Sequence, residues 1–224
     1  MSGKCAFCGS QRFRINRYLN LPTESSIIYE DQYVFVTPDV APVIDGHYLI
    51  VAQEHIHSFG NANEYTFKAV ENAKRFLIEN VYHSELVLFW EHGAVLSNTG
   101  GASIDHAHMH AIPCVVGFDI EKVLDEYFDY LDQKKRISYS ALRENAQFLK
   151  PYISYAFGYD VGFYRCVHNI PSQFFRFLIS QYAPQEYNWR LRYTDNESKQ
   201  SFMRTLSLAI NDSGDDLSMV NKGD

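Results

Sequence analysis

The chain has 224 residues, the size of one large domain or of a domain with a substantial extension, and a hydrophobic fraction of 46% can supply a core. Its formal net charge of −7 argues against a general nucleic-acid binder, since neutralising phosphates calls for a basic surface, although a local positive pocket could still hold a small anion. The polar start Met1-Ser2-Gly3-Lys4 and the lack of an apolar run near the roughly 18 residues of a membrane helix lead us to expect a soluble, cytoplasmic protein without a secretory signal or a span.

Four cysteines do not resemble a disulfide framework, and reduced thiols fit better. Cys5 and Cys8 have the spacing of half a zinc site, because two intervening residues let both thiolates reach one tetrahedral ion. A redox pair or two buried thiols would give the same CxxC. Arg12 to Leu21 is basic and aromatic, and Pro22 to Ser26 reads as a loop. Ile27-Ile28-Tyr29 and Val34-Phe35-Val36, around the polar Glu30-Asp31, predict a β-hairpin. Pro38 to Pro42 ends its second strand. After Asp45-Gly46, His47 to Ala52 is a third strand, and Glu54-His55-Ile56-His57 leaves its end. Asn63 opens a helix with Tyr65, Ala69, Val70, Ala73, Phe76 and Leu77 as the core stripe and Lys68, Glu71, Lys74 and Glu79 opposite. Leu86 to Trp90 is an apolar strand, followed by Glu91-His92-Gly93 and a loop to Gly101.

Next comes Ser103-Ile104-Asp105-His106-Ala107-His108-Met109-His110-Ala111-Ile112. In a strand, side chains at i, i+2 and i+4 share one face, so His106, His108 and His110 line one surface while Ala107, Met109 and Ala111 point into a core. A metal-binding patch or chance clustering could also give three alternating histidines. Gly100-Gly101 before the run and Pro113 after it bound it as one strand. Beyond it, Asp119 to Lys135 predicts an amphipathic helix, Tyr152 to Phe157 and Phe163 to Val167 two strands, and Pro171 to Tyr182 and Ser198 to Ile210 two helices. Asp212 to Asp224 is polar and is expected to be a disordered tail.

The run His-Ala-His-Met-His-Ala-Ile matches, without departure, the His-φ-His-φ-His-φ-φ motif (φ apolar) of the histidine-triad (HIT) superfamily of nucleotide hydrolases and transferases. Asp39 after the second strand and His47 opening the third resemble the same family, and the likeness extends from Cys5 to Pro113. Pro171-Ser172-Gln173-Phe174-Phe175-Arg176, with Trp189-Arg190 behind it, looks like the C-terminal extension of some longer HIT-related proteins. The resemblance implies an α+β fold with a HIT-like antiparallel sheet of about five strands flanked by helices, plus a C-terminal α/β extension. We therefore expect a nucleotide-binding domain over residues 1–116, the extension over 117–211 and the tail over 212–224.

Roles follow from the resemblance. His108 attacks the α-phosphorus to form a covalent nucleotidyl-histidine, His110 contacts the phosphate or orients the nucleophile, and Ser103 donates to the leaving group. Asp39 accepts hydrogen bonds from ribose hydroxyls, His47 belongs to the same nucleotide site, Phe35, Val36 and Val40 form a slot for the base, and Asn98 and Thr99 are candidates for phosphate contact. Many bacterial members join a CxxC, a histidine after the third strand and the first triad histidine around zinc. Here these are Cys5, Cys8, His55 and His106, with His57 as an alternative to His55, and two sulfurs with two nitrogens suit a structural ion. The implied substrate is a purine nucleotide or dinucleotide: a dinucleoside polyphosphate, a nucleoside phosphoramidate or an acyl-adenylate. A homodimer is implied as well. Two departures stand out. Ala102 replaces a glutamine that many members carry before the serine, and Asp105 should point away from the histidines. The His-Pro-His core of the galactose-1-phosphate uridylyltransferase branch is missing, as are the basic patch and zinc-finger tail expected of the DNA-deadenylating branch. A non-catalytic nucleotide sensor or scaffold that uses the extension to bind a partner is the rival reading.

Overall fold

The computed structural model describes residues 5–94, 96, 104–127, 135–147, 150–160, 162–166, 170–183 and 196–210. A short helix α1 (Arg14–Leu19) follows the CxxC segment. Strands β1 (Tyr29–Glu30) and β2 (Val34–Pro38) form the expected hairpin, closed at Asp31, whose Oδ1 accepts from the backbone N–H groups of Tyr33 and Val34, both at 2.8 Å. Strand β3 (Tyr48–Ala52) leads to helix α2 (Glu64–Leu77), started by Asn63, whose Oδ1 accepts from the Thr66 N–H at 2.9 Å. Strands β4 (Val87–Gly93) and β5 (His108–Pro113) complete the first half. Then come α3 (Ile120–Tyr127), β6 (Lys135–Arg136), α4 (Tyr139–Gln147), β7 (Tyr152–Phe157), β8 (Phe163–Cys166), α5 (Phe174–Ser180) and α6 (Asn196–Ile210).

The eight described strands form one antiparallel sheet in the order β1-β2-β3-β5-β4-β7-β8-β6. The sheet of about five strands expected for the first half is present, and so are the two strands expected in the extension. The sheet is wider because the edge of β4 that β5 leaves open is taken by β7, which brings β8 and β6 with it.

Alternation along each strand divides the core in two. On one face Val34, Val36, Ile50, Phe89 and Ala111 pack under Ala69, Val70, Ala73 and Leu77 of α2. Two residues of α2 depart from the predicted stripe. Tyr65 is 67% exposed and stacks on Tyr33, while Lys74 is buried with its ammonium over the Phe89 ring at 5.3 Å and Glu71 at 3.2 Å. An amphipathic stem lets a lysine cover apolar surface, which hydropathy alone does not register. On the other face Leu88, Trp90, Ile112, Ile153 and Tyr155 are covered by α3 and α5. Toward β3 and β2 the same face carries the histidines. Helix α6 packs through Phe202 and Leu206 against Ile15 of α1, and Thr205 Oγ1 accepts from the Gly46 N–H at 2.9 Å. No helix among the described residues is long and apolar enough to cross a membrane.

Candidate active site

Pairing of β5 with β3 sets Val51 opposite His108 and Leu49 opposite His110, which places both histidines on the face away from α2. Ala107 and Ala111 enter the opposite core, as the alternation predicts. Beside the histidines is a cavity of about 670 Å³, with Phe35, Asp39 and Val40 on one side and residues of α5 on another. Val36 lies on the reverse face of β2, inside the core under α2, because strand neighbours point to opposite sides. Ser103, Asn98 and Thr99 fall outside the described residues.

A chain of hydrogen bonds fixes the imidazoles. His47 Nδ1 accepts from the Val43 N–H at 3.2 Å, so its proton sits on Nε2, which lies 2.9 Å from His110 Nδ1. His110 therefore accepts on Nδ1 and carries its own proton on Nε2. Its ring is stacked on Trp90, centroids 4.7 Å apart and planes 6° apart. His108 donates from Nδ1 to the carbonyl of His106 at 2.7 Å, which leaves the Nε2 lone pair available to a ligand. Burial lowers the pKa of all three, that of His47 to about 3, so they are neutral near pH 7.

Asp39 is 2% exposed. Its Oδ1 accepts from the Ala41 N–H at 2.8 Å, and its Oδ2 lies 3.6 Å from His47 Nε2 and 3.8 Å from His110 Nδ1. Arg176 of α5 donates to Oδ2 through Nη2 and to the Ala41 carbonyl through Nη1. Burial alone would raise the pKa of this carboxyl, but the guanidinium and the backbone donor bring it down to about 2. A carboxylate and two imidazoles so arranged can resemble a metal site; here the nearby cation is Arg176.

The CxxC lies at the other end of the triad. The donor atoms of Cys5, Cys8, His55 and His106 are within 4.8 Å of one another. Cys5 Sγ and Cys8 Sγ stand 3.4 and 3.5 Å from His106 Nδ1, Cys8 Sγ is 3.2 Å from His55 Nδ1, and the two Nδ1 atoms are 3.2 Å apart. Tetrahedral zinc, with bonds of about 2.3 Å to sulfur and 2.0–2.1 Å to nitrogen, sets S···N near 3.6 Å and N···N near 3.3 Å, so this donor set fits the ion. His106 Nε2 donates to the Ala52 carbonyl at 2.7 Å, which turns the Nδ1 lone pair toward the cluster, the usual outer support of a metal-bound histidine. His55 rather than His57 converges there. Phe7, between the cysteines, sets its ring 5.7 Å from that of His106 and 5.5 Å from that of His108, making the segment one wall of the cavity.

Residues 21–115, which contain the three histidines, Asp39 and His47, match the HIT domain family. That segment is a HIT domain, and it makes up less than half of the chain. An uncharacterised HIT-like protein of Borreliella burgdorferi is 27% identical over 116 residues, covering 49% of this chain and 74% of that one. Among solved structures, a HIT family hydrolase from Clostridium thermocellum is 26% identical, with 54% of this chain and 99% of that one covered and a TM-score of 0.39. A zinc-bound histidine triad family protein from Mycobacterium smegmatis is 22% identical over 66% of this chain and 97% of its own, with a TM-score of 0.37. The HIT-domain match ends at residue 115, so Arg176 reaches the site from outside it. Sequence reading gives Arg176 no role. Its segment stands out only by likeness to the extension of longer relatives, and nothing local ties an arginine to a carboxylate 137 residues away.

Proposed function

We propose that the protein is a nucleotide hydrolase or nucleotidyl transferase acting at the α-phosphate of a dinucleoside polyphosphate, nucleoside phosphoramidate or acyl-adenylate. The observation that carries this reading is the 2.7 Å hydrogen bond from His108 Nδ1 to the His106 carbonyl, which holds a neutral imidazole with its other nitrogen free to attack. In the first step the Nε2 lone pair forms a bond to phosphorus as the bond from phosphorus to the leaving group breaks, and the electron pair departs with that group. Water or another acceptor then takes the nucleotidyl group from His108. His110, held by His47 and Trp90, offers its Nε2–H to a phosphate oxygen, where charge builds up in the transition state. Phe35 and Val40 give the nucleoside an apolar slot and Asp39 borders its sugar. His47, expected from the sequence to touch the nucleotide, is fully buried behind the cavity wall and acts through His110. The cysteine–histidine cluster would hold a structural zinc ion, which supplies cross-linking of the N-terminal segment and no chemistry on the substrate. The family resemblance supports a homodimer, which light scattering tests, and a cytoplasmic location, which fractionation tests.

The decisive experiment uses a substrate labelled at its α-phosphorus. Acid-labile label should appear on the wild type and be missing from His108→Asn, and turnover should fall by several orders of magnitude while the nucleotide still binds. A variant that binds and turns over normally removes His108 as nucleophile. A wild type that binds nucleotides but never turns them over favours the sensor or scaffold.

A further inference from the structure

Arg176 is the one residue of the extension that meets the HIT-domain site through an ion pair among the described residues. Its partner Asp39 has both carboxylate oxygens engaged by the protein, Oδ1 by the Ala41 N–H and Oδ2 by the guanidinium. Of the pair, the arginine is the more accessible, with side-chain exposures of 11% for Arg176 and 3% for Asp39. Both line the cavity that also holds His108 and His110. The pair as a whole is neutral, and of its two charges the cation is the more exposed to the cavity. The cation also acts on the histidines. Burial is the chief reason that His47, His108 and His110 stay neutral, and the charge of Arg176 adds to it at each of them.

An arginine has donors only, keeps its charge at any working pH, and presents a planar fork that matches two oxygens of a phosphate. Anchored through one N–H of each terminal nitrogen to Asp39 and the Ala41 carbonyl, the guanidinium is set before a ligand arrives, so less side-chain entropy is lost on binding, and it meets a phosphate as a fixed charge. We infer that Arg176 is a ligand-binding residue that holds the anionic phosphate oxygens of the bound nucleotide beside His108 and His110, with Asp39 and the Ala41 carbonyl as its anchor. The inference rests on the reading of the cavity as a nucleotide site. It makes the extension part of the binding site and gives it a task that the HIT domain does not perform for itself.

Calorimetric titration with a nucleoside monophosphate, AMP or GMP as the wild type prefers, and with the matching nucleoside separates charge recognition from support. Arg176→Gln should weaken the monophosphate by roughly 10- to 100-fold, the size expected for a lost hydrogen bond to a charged group, and leave the nucleoside within about twofold. Arg176→Lys should fall between, keeping the charge without the fork. Removing the arginine leaves Asp39 buried and unpaired, so Arg176→Gln is also compared within an Asp39→Asn background, where no charge is stranded: there the monophosphate should again lose roughly 10- to 100-fold relative to Asp39→Asn alone and the nucleoside stay within about twofold. Equal losses for both ligands would reduce Arg176 to a support of the fold, and unchanged binding of the monophosphate would remove it from the site. A wild type that binds neither ligand overturns the nucleotide reading itself, and the inference with it.

Discussion

Glu91 is a buried acid with no part in the proposed chemistry. Its Oε1 accepts from the Phe59 N–H at 2.8 Å and its Oε2 from the Tyr152 hydroxyl at 2.7 Å, yet burial outweighs both and pushes its pKa up to about 7 from 4.5. A carboxyl with a raised folded-state pKa favours folding most below pH 4.5, where folded and unfolded chains are both protonated. From pH 4.5 to 7 the unfolded chain loses the proton first, so stability drains away over that window, by a total on the order of 3 kcal/mol. Glu91→Gln mimics the protonated acid. Its stability relative to the wild type should therefore climb between pH 4 and pH 8 in urea titrations, and a flat difference would show that the carboxylate is ionised at little cost. At this same scale the site was unevenly legible. His106, His108 and His110 announce themselves because a strand has period two, and Cys5 and Cys8 because a metal limits ligand spacing. Arg176 and Glu91 obey no local period, since their partners arrive through sheet pairing and helix docking.

The contact of β4 with β7 depends on one missing side chain. Tyr152 lies across Gly93, where a Cβ would stand 2.1 Å from two ring carbons, and the ring is held by hydrogen bonds from its hydroxyl to Glu91 and from the Gly60 N–H at 2.8 Å. Gly93→Ala should cost about 1–3 kcal/mol or more, as overpacking of a closed core does. An unchanged denaturation midpoint would mean that the ring moves freely. Elements with strong apolar periodicity, such as α2 and β3, stand where the sequence placed them. Others did not declare themselves. Helix α4 buries only Leu142, Asn145 and Ala146, and α1 only Ile15 and Asn16, too few positions to produce a stripe. Strand β6 is two residues long and exists by pairing with β8.

For the molecule as a whole, the proposed boundary at residue 116 divides the chain but not the sheet. Without the residues that follow, β4 loses its partner β7, and Leu88, Trp90 and Ile112 lose the cover of α3 and α5. An open strand edge beside an uncovered apolar face invites association. A chain truncated after residue 116 is therefore expected to aggregate, and a soluble truncated form with a cooperative melt would make the first half a free-standing unit. The sequence revealed β7 and β8 but not the strand they join, because pairing partners leave no mark on local hydropathy.

His106 faces two ways. Its side chain belongs to the cysteine cluster, and its carbonyl receives the proton of His108. Purified protein should carry about one zinc per chain, and Cys8→Ser should lose it with a drop in melting temperature, because such an ion contributes to folding. Metal-free wild type whose melting is indifferent to strong chelation would end that reading. With zinc in place, one peptide unit becomes a lever between two ligands, and thermodynamic reciprocity governs it: the factor by which the ion tightens nucleotide binding is the factor by which nucleotide tightens the ion.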